Sequence, residues 1–142
     1  MERKEVRILV VDDEAIMSDS LKQNLEEEGY TVDTASNGAE AIELFDRGGH
    51  HLIICDLQLP DIDGMDVLRH AKDTSPSTEV IVMTGYGTVE RAVEATKAGA
   101  FWFLEKPFDF EVLLPLVEKA LERRDLLEQT TTMRQRLATR TE

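Results

Sequence analysis

Four places in this chain carry side chains suited to holding and moving a charged group. Asp12 and Asp13 stand together, followed by Glu14; Asp56 closes Leu52-Ile53-Ile54-Cys55; Thr84 follows Val80-Ile81-Val82-Met83; and Lys106 precedes Pro107. Two carboxylates about 4 Å apart repel by roughly 4 kcal/mol at an effective dielectric near 20. Asp12, Asp13 and Asp56 sharing one site would therefore call for a cation. Oxygen ligands without histidine or cysteine suit Mg²⁺, which binds one or two carboxylates, keeps waters and takes phosphate as a further ligand. An aspartate beside such an ion can act as a nucleophile and form an aspartyl phosphate. Lys106 would neutralise charge on the transferring group, and Thr84 could donate to a phosphate oxygen. An Asp-Asp pair alone is more often a turn or a helix cap. The chemistry depends on the fold bringing all four places together.

The apolar segments supply that fold. Short runs at Arg7–Val11, Thr31–Ala35, Leu52–Cys55, Val80–Met83 and Phe101–Leu104 read as strands. Between them lie stretches with helical spacing. Ile16, Leu21 and Leu25 open the first, which stops at Gly29; Ala39 to Phe45 forms the second, closed by Gly48-Gly49. Met65 to Ala71 forms the third, and Val89 to Ala98, closed by Gly99, the fourth. The fifth begins near Asp109, a candidate N-cap, and runs well past Leu121. Five strands each followed by a helix predict an α/β fold with a parallel sheet, right-handed crossovers and helices on both faces. In such folds chemistry collects at the carboxyl ends of the strands, where Asp12, Asp13, Asp56, Thr84 and Lys106 all fall. Pro115, about six residues into the fifth helix, removes a backbone donor and predicts a late start or a distorted first turn.

Four motifs in order then stand out: Ile8-Leu9-Val10-Val11-Asp12-Asp13-Glu14; Ile54-Cys55-Asp56-Leu57-Gln58-Leu59-Pro60-Asp61-Ile62-Asp63-Gly64; Val82-Met83-Thr84-Gly85-Tyr86-Gly87; and Leu104-Glu105-Lys106-Pro107-Phe108. Over roughly residues 5 to 122 the chain resembles the receiver domain of bacterial two-component response regulators. The resemblance implies a flavodoxin-like (βα)5 doubly wound sheet of strand order 2-1-3-4-5. It implies Asp56 as phosphoacceptor, Mg²⁺ held by Asp12, Asp13, Asp56 and the main-chain carbonyl of Gln58, and Thr84 and Lys106 as the groups that bind the phosphoryl oxygens. It also implies an aromatic switch at Phe103, which turns inward as Thr84 moves, and a cis bond at Lys106-Pro107. The partner implied is a sensor histidine kinase. The domain would catalyse its own phosphorylation and dephosphorylation without being a multiple-turnover enzyme. Thr84-Gly85-Tyr86-Gly87-Thr88-Val89-Glu90-Arg91-Ala92-Val93-Glu94-Ala95 is similar to receivers of the nitrogen-regulation type, which precede ATPase and DNA-binding modules in sigma-54 activators.

Composition narrows the classes further. The 142 residues carry 16 basic and 29 acidic side chains, a net charge of −13, which argues against direct nucleic-acid or anionic-membrane binding by this segment. One cysteine excludes an internal disulfide and a cysteine-rich zinc site. No apolar run approaches the roughly 20 residues of a membrane span, and the charged start is not a signal peptide, so a cytoplasmic location is expected. Gly85-x-Gly87 lacks the third glycine of a dinucleotide loop, and the acidic first loop suits neither pyrophosphate nor flavin phosphate. Phosphatases of the haloacid-dehalogenase type resemble an Asp-x-Asp arrangement, whereas this pair is adjacent. A stand-alone phosphatase, a single-domain receiver and a degenerate receiver serving as an interaction module remain the alternatives.

Residues 1–122 are expected to form the domain and 123–142 a helical extension or linker. Leu113, Leu116, Ala120, Arg123, Leu127, Thr130, Arg134 and Leu137 trace a weak heptad seam for pairing with a twin, and Thr130–Glu142 is expected to fray. Arg123, Arg124, Arg134, Arg136 and Arg140 read as a solvated helix face, His50 and His51 as exposed turn residues, and Cys55 as a small core residue. Trp102, on an expected edge strand between Phe101 and Phe103, is a candidate association residue. The expected output is a homodimer through the fourth helix, fifth strand and fifth helix.

Overall fold

Strands that follow one another in parallel need a crossover between them, and each apolar run here is followed by a helix that supplies it. The computed structural model describes residues 2–140. β1 (Arg7–Val11) pairs with β2 (Thr31–Ala35) on one side and β3 (Leu52–Asp56) on the other; β4 (Glu79–Thr84) and β5 (Trp102–Glu105) extend the sheet beyond β3. All pairs are parallel and the order is β2-β1-β3-β4-β5, as expected. The crossovers are α1 (Ala15–Glu27), α2 (Gly38–Gly48), α3 (Gly64–Thr74) and α4 (Val89–Lys97), with α5 (Phe110–Arg140) last. A 3₁₀ turn at Arg3–Glu5, not expected from the sequence, precedes β1.

Period-two alternation divides the strand residues between two layers. Ile8, Val10, Leu52, Ile54, Ile81 and Met83 pack with Leu21 and Leu25 of α1 and with Leu113 and Val117 of α5. Leu9, Val11, Ile53, Cys55, Val80 and Val82 pack with Phe45 of α2, Met65 and Leu68 of α3, and Ala95 of α4. Each fully buried Leu, Ile or Val contributes about 1.5–3 kcal/mol. Cys55 is a free, buried thiol in this second layer, as expected, and burial pushes its pKa up. α4 is the least anchored helix of the four crossovers, since Ala95 is its one buried residue.

Local signals set the helix ends. Asn37, Asp63 and Thr88 each accept a first-turn backbone N–H, from Glu40, Met65 and Arg91. α2 stops at Gly49, whose φ of 63° lies in the left-handed region that glycine enters without a Cβ clash. Gly64 answers a different demand. A β-carbon there would lie 2.4 Å from the Asp56 carbonyl oxygen and 2.6 Å from Leu57 Cα, so α3 starts in contact with the end of β3.

Several expectations fail, most of them through a partner distant in the chain. His50 is 1% exposed rather than solvated. Its Nε2 lies 2.7 Å from Asp33 Oδ2, and its ring stacks against Phe45. His51 is half-buried and its Nδ1 accepts the Arg7 backbone N–H at 2.9 Å. Arg123 pairs with the buried Glu79 at 3.2 Å and lies over the Phe101 ring, and Arg124 lies against Glu128, so neither belongs to a simply solvated face. Leu113 and Ala120 are fully buried against the sheet, so the first part of the heptad seam is the core face of α5. α5 runs unbroken past Pro115 and remains helical through Arg140, where fraying was expected. The side chains of Arg134, Arg136, Leu137 and Arg140 lie outside the described residues, as do Thr141 and Glu142.

Two predictions follow from this packing. Burial, partly countered by Asp33, lowers the pKa of His50, and burial with the Arg124 charge lowers that of His51. The unfolded chain then takes up protons that the folded one refuses. Unfolding free energy falls as pH drops below about 6.5, by at most about 1.4 kcal/mol per pH unit for each histidine. His50→Gln removes its share of that slope, read from urea melts between about pH 7 and about pH 5; an unchanged slope would contradict the assignment. Gly64→Ala costs about 2 kcal/mol or more by forcing α3 off β3, whereas Gly85→Ala, where the added carbon meets open space, stays within about 0.5 kcal/mol in the same melts.

Candidate functional site

Because all five strands run the same way, their carboxyl ends share one rim, and the four places singled out from the sequence lie along it. Asp12 follows β1 and its N–H donates to the Ala35 carbonyl of β2, while Asp56 is the last residue of β3. Both are buried, at 1% and 4% exposure, and Asp13 is exposed at the rim. Carboxylate oxygens of Asp12, Asp13 and Asp56 all lie within 4.8 Å of one another.

Lys106 closes the cluster from the end of β5. Its Nζ donates to Asp56 Oδ2 at 2.6 Å and to Asp12 Oδ2 at 2.8 Å, with Glu14 Oε1 3.9 Å away. The Lys106 N–H donates to the Thr84 carbonyl at 2.8 Å, which fixes where the side chain starts, and the Lys106-Pro107 bond is cis, as expected. Burial alone would lower the Lys106 pKa, but its hydrogen bonds to Asp12 and Asp56 prevail and raise it, so the ammonium stays charged. Each buried carboxylate is held symmetrically. The other oxygen of Asp12 accepts from the Glu14 N–H at 2.9 Å, and that of Asp56 from the Gln58 N–H at 2.8 Å.

One ammonium against two buried carboxylates and a third at the rim leaves the cluster negative. The donors are all oxygens, so a hard divalent cation suits them, and the residues present fit Mg²⁺.

Thr84 is buried at the end of β4, and its Oγ1 accepts from the Tyr86 N–H rather than touching the acids. Phe103 of β5 is half-buried under the β4–α4 loop: a β-carbon on Gly87 would lie 3.2 Å from its ring and 3.7 Å from the Thr84 methyl. Gln58 lies on the loop just beyond Asp56, where it forms an isolated bridge with Asp63. Asp12, Asp56 and Lys106 thus meet directly, with an Asp13 oxygen within 4.8 Å of both acids, while Thr84, Gln58 and Phe103 lie on the segments around them.

Two supporting residues of that loop were not assigned roles from the sequence. Asp61 accepts from the N–H groups of Gly38 and Ala39 at the start of α2, and these backbone donors lower its pKa. Asp63 caps α3 and meets the Arg91 guanidinium of α4 through both oxygens, at 2.8 and 3.2 Å; that guanidinium is the main reason its pKa is lowered. The Asp63-Gly64 pair before an apolar run was a readable cap signal, but the Arg91 partner, 28 residues away, was not.

Comparisons with known proteins identify the family and the fold. The model of the response regulator receiver domain matches residues 8–118. The transcriptional regulatory protein ZraR of Klebsiella oxytoca is 38% identical over 132 residues, which is 93% of this chain and 30% of that protein. The chain therefore spans about 30% of the length of the curated relatives it matches. Among solved structures, a receiver domain protein from Clostridium thermocellum superposes with a TM-score of 0.81 at 36% identity, covering 86% of this chain and 98% of that one. The beryllofluoride-activated NtrC4 receiver domain dimer gives 0.79 at 44% identity, covering 83% and 98%. A match running from β1 into α5, on a sheet of the same order, makes this chain a member of the response regulator receiver domain family.

Proposed function

We propose that this domain accepts a phosphoryl group on Asp56 from a sensor histidine kinase and changes its association state in response. The observation that carries the reading is the Lys106 ammonium held between the buried carboxylates of Asp12 and Asp56. That arrangement keeps a cation beside the attacking oxygen and a negative carboxylate cluster able to hold another. In the transfer, a carboxylate oxygen of Asp56 forms a bond to phosphorus, the phosphorus–nitrogen bond of the donor phosphohistidine breaks, and its electron pair returns to the imidazole ring. Asp12, Asp13, Asp56 and the main-chain carbonyl of Gln58 would hold Mg²⁺, whose charge would offset that of the phosphoryl oxygens. Lys106 donates to one of those oxygens as its bond to Asp56 is given up, and the Thr84 hydroxyl, a free donor while it accepts from Tyr86, binds another.

Moving Thr84 toward the phosphoryl group draws on the β4–α4 loop, under which the Phe103 ring lies, so inward turning of Phe103 is the packing response. The output face is α4, β5 and α5. Val89, Val93, Trp102 and Val112 are exposed on these elements, and Tyr86 on the loop before α4. A homodimer through this face is the association we infer, and the dimeric state of the activated NtrC4 receiver supports it. Relatives such as ZraR are transcriptional regulatory proteins about three times longer than the matched segment, which supports a role as one part of a longer transcriptional regulator, and we infer the N-terminal part of a sigma-54-type activator in the cytoplasm. Among the described residues no helix is long and apolar enough to cross a membrane.

Intact mass after incubation with acetyl phosphate tests the reading. One phosphoryl group is gained, the gain needs Mg²⁺, and Asp56→Asn, nearly isosteric, abolishes it while leaving the circular dichroism spectrum unchanged. Labelling retained in Asp56→Asn, or no gain from acetyl phosphate or from any histidine kinase, contradicts it and favours an interaction module.

A further inference from the structure

α4 carries part of the proposed output face, yet only Ala95 of its nine residues is buried. Beside the packing of Ala95, its connections to α3 are polar. Arg91, in the first turn, meets Asp63 at the N-cap of α3 through both guanidinium nitrogens and also donates to Glu94 at 2.8 Å. Glu94 accepts from Arg69 of α3 at 3.3 Å, and Arg69 lies 3.7 Å from Asp66. The charges alternate along this line from Asp63 to Arg91, Glu94, Arg69 and Asp66, and no like charges are adjacent.

The far end of the line reaches the acceptor site. Asp63 bridges Gln58, the Gln58 N–H donates to Asp56, and Gly64 beside Asp63 presses on the Asp56 carbonyl. Asp61 pins the same loop to α2, so the loop is held more firmly than α4, whose one buried residue is Ala95.

We propose that the Arg91–Asp63 pair is a latch that holds α4 in its resting position, and that phosphorylation must release or carry it before the output face can rearrange. This rests on the receiver reading above. Drawing Thr84 toward Asp56 shifts the β4–α4 loop, and Arg91 lies only seven residues beyond Thr84, so displacement of the α4 N-terminus strains the bidentate pair. The latch thereby sets how far the unphosphorylated domain already samples the active arrangement. Arg91 is a positioning residue and touches no reacting atom.

Amide hydrogen exchange on the unphosphorylated protein reads the latch directly. Arg91→Gln and Asp63→Asn, the second retaining an N-cap acceptor, each speed exchange across Val89–Lys97 by roughly two- to five-fold, the effect of losing one partly exposed ion pair. α1 and α2 stay unchanged, and the double variant adds nothing to either single one. Raising salt speeds α4 exchange in the wild type and not in Arg91→Gln. In acetyl phosphate the Arg91→Gln variant is labelled faster than wild type by a similar factor. Unchanged α4 exchange in both variants overturns the latch. Failure of the wild type to take up phosphate overturns the receiver reading instead, and leaves the exchange result standing on its own. Faster exchange with unchanged labelling overturns the coupling to the site.

Discussion

Carboxylates gathered at one rim of a sheet repel one another, and in this domain the positive charge that lets them coexist is the Lys106 ammonium between Asp12 and Asp56. The rest of the architecture serves to deliver that ammonium and those acids to the same few ångströms. β1 and β3 are neighbours at the centre of the sheet, so Asp12 and Asp56 leave it side by side. β5 is two strands further out, and the contact is completed by the length of the lysine and by its backbone bond to Thr84. A parallel sheet is what allows this, because it sends every carboxyl end to one rim.

The same arrangement underlies the switch proposed for this domain. Burial leaves Asp56 little room to relax, and its two oxygens are already taken by Lys106 and the Gln58 N–H. A phosphoryl group on that carboxylate must displace the ammonium and offers new acceptors to Lys106 and Thr84. The loops that answer are unequally secured. The β3–α3 loop is pinned by Asp61 and by the contact of Gly64 with β3, whereas α4 leans on an ion-pair line and a single buried alanine. On the proposed reading, rigidity near Asp56 and looseness one element away would turn a local charge change into movement of a surface.

Much of this was legible in the residues. The strands announce themselves because both faces of the sheet are covered, so Ile53, Ile54 and Cys55 can all be apolar in succession. The rim acids and Lys106 were legible because each directly ends an apolar run. What escaped were interactions whose partners are distant in the chain. His50 looks like a turn residue until β2 brings Asp33 against it, and Arg123 looks solvated until β4 offers the buried Glu79. The spacing of Leu113, Leu116 and Ala120 was ambiguous in principle, since a core-facing helix and a coiled-coil seam share the same period. Arg91 gives no sign in its neighbours that Asp63 awaits it.

The claim on which everything turns is that the phosphoryl group resides on Asp56 and nowhere else among the 29 acidic side chains. An acyl phosphate, unlike a free carboxylate, is reduced by borohydride to an alcohol, so the acceptor becomes homoserine and can be located by peptide mapping. Treatment of the phosphorylated domain with borohydride is expected to yield homoserine at position 56 alone. Homoserine at Asp12, Asp13 or Asp61, with Asp56 recovered intact, would contradict the account.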